Sequence, residues 1–393
     1  MDAVKAWDRR GVFRLFGYAG TGKTTLAKAF ADQVGGTVKF AAFTGKAALV
    51  LQSKGCWSAG TIHSLIYLPS SKSTENLERL EEGLEEARAE LEKAEGENVS
   101  IYTNVVTRLE YEVKEERDRV KSPHFSLNPD SDLRSADLLV VDEVSMVGEQ
   151  IGTDLLTFDV PILVLGDPAQ LPPVKGTGFF TKQEPDVLLT EIHRQAAGNP
   201  VLKLAHQIRR GEGLTIGEYG DSRVVPKGVL KLEDVVAFEQ VIVGTNRCRR
   251  DLNRKIRDHK GYPAALPVAG DKLVCLRNNY DRGLLNGGQW EVVDVEEVDQ
   301  DVVRLTITGD GFTQILTAWR HHFENREEEL PLWSRRVHDE FDFGYAITAH
   351  KAQGSEWKDV LVIDESACFR AHRNRWLYTA VTRAAEKVTV VVQ

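Results

Sequence analysis

The sequence predicts an α/β protein with two parallel-sheet domains in tandem, the first interrupted by a helical hairpin and the second by a small antiparallel β module. Three observations predict it. Short apolar, β-branched runs ending in loops recur along the chain: VFRLFG (12–17), KFAAFTG (39–45), LLVVDE (138–143), PILVLGD (161–167), QVIVGT (240–245), DVLVID (359–364) and KVTVVVQ (387–393). Such runs alternating with helical segments are the pattern of parallel strands buried on both faces. Two stretches break the rhythm: an acidic, leucine-punctuated run at 70–130, and glycine-separated alternating runs at 266–340.

The 393 residues suffice for two or three cores. The formal charge of −9 is uneven, because the segment from Lys72 to Lys121 holds 15 acidic and 9 basic residues and the rest is close to neutral. Basic patches are therefore compatible with the overall sign. Cys56, Cys248, Cys275 and Cys368 are scattered, without a CxxC or Cys/His cluster, which argues against a zinc site or disulfide framework and fits a reducing compartment. The opening MDAVKAWDRRG lacks the apolar core of a signal peptide, and no uncharged apolar run of ~18 residues could span a bilayer, so a cytosolic protein is expected.

The first strand, 12–17, leads into GYAGTGKTT, which satisfies G-x-x-x-x-G-K-[ST] and opens the helical segment TTLAKAFADQV. Gly17, Gly20 and Gly22 let backbone N–H groups wrap phosphates, Lys23 suits β- and γ-phosphates, Thr24 suits magnesium, and Thr25 completes the motif. The strand at 138–143 ends in Asp142 and Glu143. Asp142 suits an outer-sphere magnesium position, and Glu143 suits the base that activates a water. The next strand ends in LGDPAQLPPV, where Gln170 is placed to sense a γ-phosphate and a proline-stiffened loop to transmit its presence. Arg194 in LTEIHRQ and Arg383 in LYTAVTRA, from the second domain, would meet charge developing on that phosphate when a cleft closes.

In order and spacing these blocks resemble the helicase motifs of superfamily 1, and YAITAHKAQGSEW (345–357) with LYTAVTRA resembles the RecD-like and phage Dda-like branch, superfamily 1B. The resemblance covers nearly the whole chain. It implies two RecA-like P-loop domains, residues 1–65 with 131–180 and 181–265 with 341–393, plus a helical insertion at 66–130 and an SH3-like β insertion at 266–340. It also implies ATP and Mg²⁺ as cofactors and 5′→3′ movement on single-stranded DNA, with unwinding of fork DNA. Thr44 and Lys46 of TGKAA, Thr61 and His63 of TIHSL, Thr245, Asn246, Thr348 and His350 are then expected on the DNA backbone. Gly354 and Glu356 are expected nearer the nucleotide. Hydroxyls, amides and N–H groups bind phosphate without reading sequence, which fits that role.

Other readings stay open on residues alone: a nucleic-acid-binding ATPase switch or partner-loading module without unwinding, or an RNA-directed motor. The basic run NRCRRDLNRKIRDHK (246–260) sets Arg250, Arg254 and Arg257 at helical spacing, and either lines a nucleic-acid channel or forms a solvated face. The resemblance implies a glutamine-bearing segment before the P-loop that reads the adenine, and none of the 16 residues before Gly17 is Gln, so weak discrimination between nucleotide bases is expected.

In the insertion, Leu77, Leu80, Leu84, Ala87, Leu91 and Ala94 follow an a/d seam, continued after EGEN by Tyr102, Val106, Leu109, Val113 and Val120. An antiparallel hairpin with arms reaching about 30 Å is expected. Its acidic surface at 73–121 disfavours a DNA backbone and suits a wedge support or a docking site for a protein partner.

Overall fold

The computed structural model describes residues 7–70, 75–94, 97–121, 124–173, 176–191, 198–262, 265–309, 311–330 and 337–392. The chain divides into a large unit and a smaller one centred on Ile66–Pro129.

In chain order, β1 (Val12–Gly17) feeds α1 (Lys23–Ala31), β2 (Val38–Ala42) feeds α2 (Gly45–Ser53), and β3 (Gly60–Thr61) runs into α3 (Ile62–Ile66). The smaller unit follows, with β4 (Tyr67–Ser70), α4 (Glu75–Lys93), α5 (Glu97–Lys121) and β5 (His124–Leu127). The chain then forms β6 (Leu138–Asp142), α6 (Glu149–Leu156), β7 (Ile162–Gly166) and β8 (Val187–Leu189). These complete a parallel sheet of order β3-β2-β6-β7-β1-β8. Leu138 to Val141 and all of β7 are buried, as continuous apolar strands covered on both faces must be.

The expected end of the first domain at residue 180 is corrected by β8, which pairs in parallel with β1 through Leu15↔Val187 to Gly17↔Leu189. Three residues, one of them exposed, are too short to announce a strand by periodicity.

The second sheet is built from α7 (Pro200–Arg210), β9 (Gly217–Tyr219), β10 (Ser222–Pro226), α8 (Leu232–Val236), β11 (Gln240–Val243) and α9 (Asn246–His259). After an insertion it resumes with β17 (Ala346–Thr348), α10 (Ala349–Ala352), β18 (Trp357–Ile363), α11 (Arg373–Val381) and β19 (Ala384–Val392). The order β17-β11-β18-β19-β10-β9 is parallel except for the β9 edge. The insertion itself is β12 (Lys272–Cys275), β13 (Gln289–Glu297), β14 (Val302–Gly309), β15 (Phe312–Trp319) and β16 (Phe341–Phe343), an antiparallel sheet of order β15-β14-β13-β12-β16 around Trp290, Leu305 and Phe341. It extends to Phe343, slightly past the expected limit of 340, because β16 pairs with β12.

The basic run 246–260 is not a channel lining over its length. Arg257 is 5% exposed, forks onto Asp271 with Nε and Nη2 at 3.0 Å, and stacks 4.0 Å from the Phe343 ring. Arg250 pairs with Glu327, and Arg254 pairs with Asp251 on the exposed face. Helical spacing reports a face and not its partner, so a buried acid contributed from β12's start was invisible in the pattern.

In the smaller unit α4 and α5 form the expected hairpin: Leu77, Leu84, Ala87, Val106 and Val113 are buried together, flanked by Leu80, Leu91 and Leu109. Arg88–Glu110 at 2.7 Å and Arg117–Glu81 at 2.6 Å tie the arms. Strands β4 and β5 pair antiparallel at its base, from Tyr67↔Leu127 to Ser70↔His124. The side chain of Val120 lies outside the described residues. On the large unit, Ser131 Oγ donates to Leu65 O at 2.7 Å, so the chain departs and returns at one point.

Candidate nucleotide and nucleic-acid sites

The loop after β1 is shaped by glycine where nothing larger fits. A Cβ on Gly17 would lie 2.5 Å from Thr21 Oγ1 and 2.9 Å from Leu189 Cβ, while Gly20 and Gly22 have φ of 77° and 78°. Gly22 is the N-cap of α1 with no side-chain cap, and a Cβ there would meet nothing within 4 Å. An uncapped helix N-terminus opening on space is a seat for an anion. Lys23 Nζ rests on the carbonyls of Gly17 (2.7 Å) and Tyr18 (3.1 Å), poised at the mouth of that seat.

Thr24 Oγ1 donates to Asp142 Oδ2 at 3.0 Å. A hydroxyl and a carboxylate oxygen side by side are the hard donors a magnesium ion takes. Thr25 stands on the same first turn of α1. Asp142 also fixes the next residue, accepting the Glu143 N–H at 2.8 Å. Glu143 has left-handed backbone, φ 55° and ψ 41°, a strained conformation for a residue with a Cβ and one that concentrates at working sites. Its carboxyl is pushed up chiefly by burial, opposed first by the charge of Arg383, raised further by Asp142, and opposed again by Lys23. A carboxyl raised above its ordinary value suits a proton acceptor.

Arg383 stands in the turn between α11 and β19 of the second sheet. It is 7% exposed, held by Thr379 O and Ser355 O, each at 3.2 Å. Gln170 is buried, and its Oε1 accepts from Ser145 Oγ at 3.4 Å, joining the loop after β7 to the turn after Glu143. Arg194 lies outside the described residues.

The structure adds partners that motif reading passed over. Tyr378 reaches Ala19 and Asp167, and Thr379 Oγ1 accepts the Leu171 N–H at 2.9 Å. The Arg209 guanidinium lies 3.8 Å over the Tyr18 ring. Tyr378 and Asp167 stand inside LYTAVTRA and LGDPAQ, so their signal was position within a motif. Arg209 carried none.

A second constellation repeats in both sheets. Thr44, Thr61, Thr245 and Thr348 stand at the ends of β2, β3, β11 and β17, and their hydroxyls accept the N–H of Ala47, Ser64, Cys248 and Lys351 at 3.1 to 3.4 Å. The strands are neighbours in pairs, Ala42↔Thr61 in one sheet and Val243↔Thr348 in the other. Each domain thus ends one edge of its sheet in two threonine-capped turns. Lys46 is half-buried on the first turn of α2, and Asn246 is exposed at the start of α9. His63 packs edge-on to Phe43 and His350 lies 5.9 Å from Phe369; burial lowers the pKa of both, keeping them neutral. Thr245 is not idle, for Glu365 accepts from its hydroxyl and N–H at 3.0 Å and from Gly244 N at 2.7 Å.

Gly354, expected nearer the nucleotide, packs against the first threonine-capped turn. Its nearest neighbours are Thr44 and Ala47, with a Cβ at 354 falling 2.6 Å from Thr44 Oγ1, and φ of 78° lets the loop turn there. Glu356 is exposed.

Residues 2–228 match the family model described as an AAA domain, and residues 343–391 match that of a UvrD-like helicase C-terminal domain. The ATP-dependent RecD2 DNA helicase of Deinococcus radiodurans is 30% identical over 283 residues, covering 64% of this chain and 36% of the relative. This chain thus spans about a third of that relative's length. Among solved structures, a Pif1 helicase studied for unwinding of forked double-stranded DNA has TM-score 0.54 at 18% identity, covering 99% of this chain and 89% of that one. Bacteroides Pif1 bound to single-stranded DNA has TM-score 0.50 at 16% identity with the same coverage. Those two show the tandem RecA-like fold. With more than half of its length matched, the chain belongs to the AAA domain family.

Proposed function

We propose that the protein is an ATP-dependent translocase and helicase that moves 5′→3′ on single-stranded DNA and separates the duplex ahead of it. The observation that carries this reading is the contact of α11 from the second sheet with two loops of the first, Tyr378 to Ala19 and Asp167 and Thr379 to Leu171, with Arg383 anchored at the end of that helix beside the glycine loop's sheet. An arginine supplied across a cleft makes hydrolysis depend on closure, which couples chemistry to domain motion. The fit of the loop, Lys23, Thr24 and Asp142 to a magnesium-bound triphosphate supports the nucleotide part. Bound there, Mg²⁺ would supply neutralisation of phosphate charge. Glu143 orients and deprotonates the attacking water, Lys23 and Arg383 hold the phosphates, and Gln170 links their presence to Ser145 and the loop after β7.

The four threonine-capped turns support a grip on the DNA backbone by both domains, with Lys46, His63, Asn246 and His350 beside them. Direction and the choice of DNA over RNA rest on the resemblance to superfamily 1B helicases, among them the RecD2 DNA helicase. The role of the α4–α5 hairpin as wedge support or partner dock belongs to the same proposal; exposed Ile101, Val105 and Tyr111 on α5 favour docking.

The test is strand displacement on duplexes with a 5′ or 3′ single-stranded tail of DNA or RNA. Unwinding from 5′ DNA tails alone is expected. Nucleotide hydrolysis without displacement on any substrate would replace the helicase reading with an ATPase switch. Among the described residues no helix is long and apolar enough to cross a membrane.

A further inference from the structure

One phenol joins the second sheet to two loops of the first. Tyr378, 2% exposed on α11, accepts the Ala19 N–H at 3.0 Å and donates to Asp167 Oδ2 at 2.7 Å. Ala19 belongs to the glycine loop after β1, and Asp167 begins the loop after β7, the strand that pairs with β1. Asp167 is itself 2% exposed, and its other oxygen accepts the Ala169 N–H at 2.9 Å, so both carboxylate oxygens are engaged in shaping that loop.

The turn that ends this helix carries the cleft arginine. Arg383 Nε is bonded to the carbonyl of Thr379, the residue after Tyr378, and Thr379 Oγ1 accepts from Leu171 N. The placement of the phenol and that of the guanidinium are therefore one placement. Shifting Tyr378 from Ala19 and Asp167 shifts the anchor of Arg383 with it.

We propose that Tyr378 is a positioning residue for nucleotide hydrolysis, locking α11 to the phosphate loop and to Asp167 so that Arg383 faces Glu143. The proposal deepens the hydrolytic reading above and rests on it. The Ala19 amide, taken by the Tyr378 oxygen, is withdrawn from phosphate binding, so nucleotide affinity is left to the rest of the loop. Burial and the neighbouring Asp167 hold the phenol protonated, and it remains a donor across the working pH range.

The experiment compares steady-state DNA-stimulated ATP hydrolysis and ADP binding for the wild type, Tyr378→Phe, Arg383→Ala and the double variant. A hydrogen bond to a charged acceptor is the scale of loss at stake, so Tyr378→Phe should lower kcat roughly ten- to a hundredfold. ADP affinity should stay within about twofold, since the phenol touches no phosphate-facing amide. In the Arg383→Ala background the Phe substitution should change kcat by less than about twofold, because coupled residues are non-additive. An unchanged kcat in Tyr378→Phe, an equal loss of ADP affinity, or additive losses in the double variant overturns the assignment.

Should Tyr378→Phe fail to fold, Asp167→Asn removes the charged acceptor from the other side. It must reproduce the kcat-selective loss, and normal kcat in Asp167→Asn overturns the proposal. A wild-type protein that hydrolyses no nucleoside triphosphate defeats the proposed function instead, which keeps the two failures apart.

Discussion

Thr24 and Asp142 meet through a 3.0 Å hydrogen bond across 118 residues of chain, bringing the first turn of α1 to the end of β6. That meeting places a hydroxyl and a carboxylate at one point of the phosphate seat. Asp142→Asn keeps the shape and removes the charge, so the Mg²⁺ concentration for half-maximal hydrolysis should rise roughly ten- to a hundredfold. Titration of ATPase activity with MgCl₂ measures it.

Glu143→Gln should lower kcat by roughly 10² to 10⁴ while ADP binding persists. Because burial raises this carboxyl, the wild-type kcat/KM should fall as pH drops through a midpoint above the ~4.3 of a free glutamate. The sign for stability runs the other way. With a folded pKa above the unfolded one, the folded state binds the proton more tightly, so this group's contribution declines as pH rises between the two values. At pH 7.5 the Gln variant should be at least as thermally stable as the wild type, and a lower melting temperature would contradict the raised carboxyl.

Arg257→Ala leaves Asp271, fully buried, without its cation. Urea denaturation should show a loss of about 3 to 5 kcal/mol. Arg254→Ala, on the exposed face of the same helix, should stay within about 0.5 kcal/mol.

The threonine caps make a paired prediction. Thr44→Ala and Thr348→Ala should each cost about 1 kcal/mol of cap energy and weaken single-stranded DNA binding alike for all sequences. Lys46→Ala should reduce the slope of log affinity against log salt by about 1, as loss of one phosphate contact does. Fluorescence anisotropy over a salt series on two unrelated oligonucleotides reads both.

Val113→Asp, placed where the hairpin seam is 3% exposed, should melt α4 and α5 with loss of helical circular dichroism. ATP hydrolysis should persist, since the seam lies in its own compact unit.

What the sequence discloses depends on the range of the interaction. The loop 17–25, the Asp142–Glu143 pair and the hairpin seam were legible because spacing along the chain dictates geometry within one turn or one helix face. Strand β8 was not, since three residues carry no period and gain their place only by pairing with β1. Arg257 looked like its surface neighbours until Asp271 came to it from another element. Gly354 was sorted by motif membership, whereas its close approach to Thr44 belongs to the packing of two sheets. Tyr378 sat in a quoted motif beside Arg383, and nothing local marks a phenol that finds its partners more than 200 residues upstream.

The hydrogen bond between Ser131 and Leu65 has an evolutionary meaning. A chain that leaves a domain and re-enters it at one point can lengthen, shorten or replace the excursion with little strain on the sheet, because closing a longer loop adds only about 0.6 kcal/mol per doubling. Residues 65 and 131 are thus a graft junction, where lineages can trade one accessory arm for another and a protein engineer can do the same without redrawing the motor.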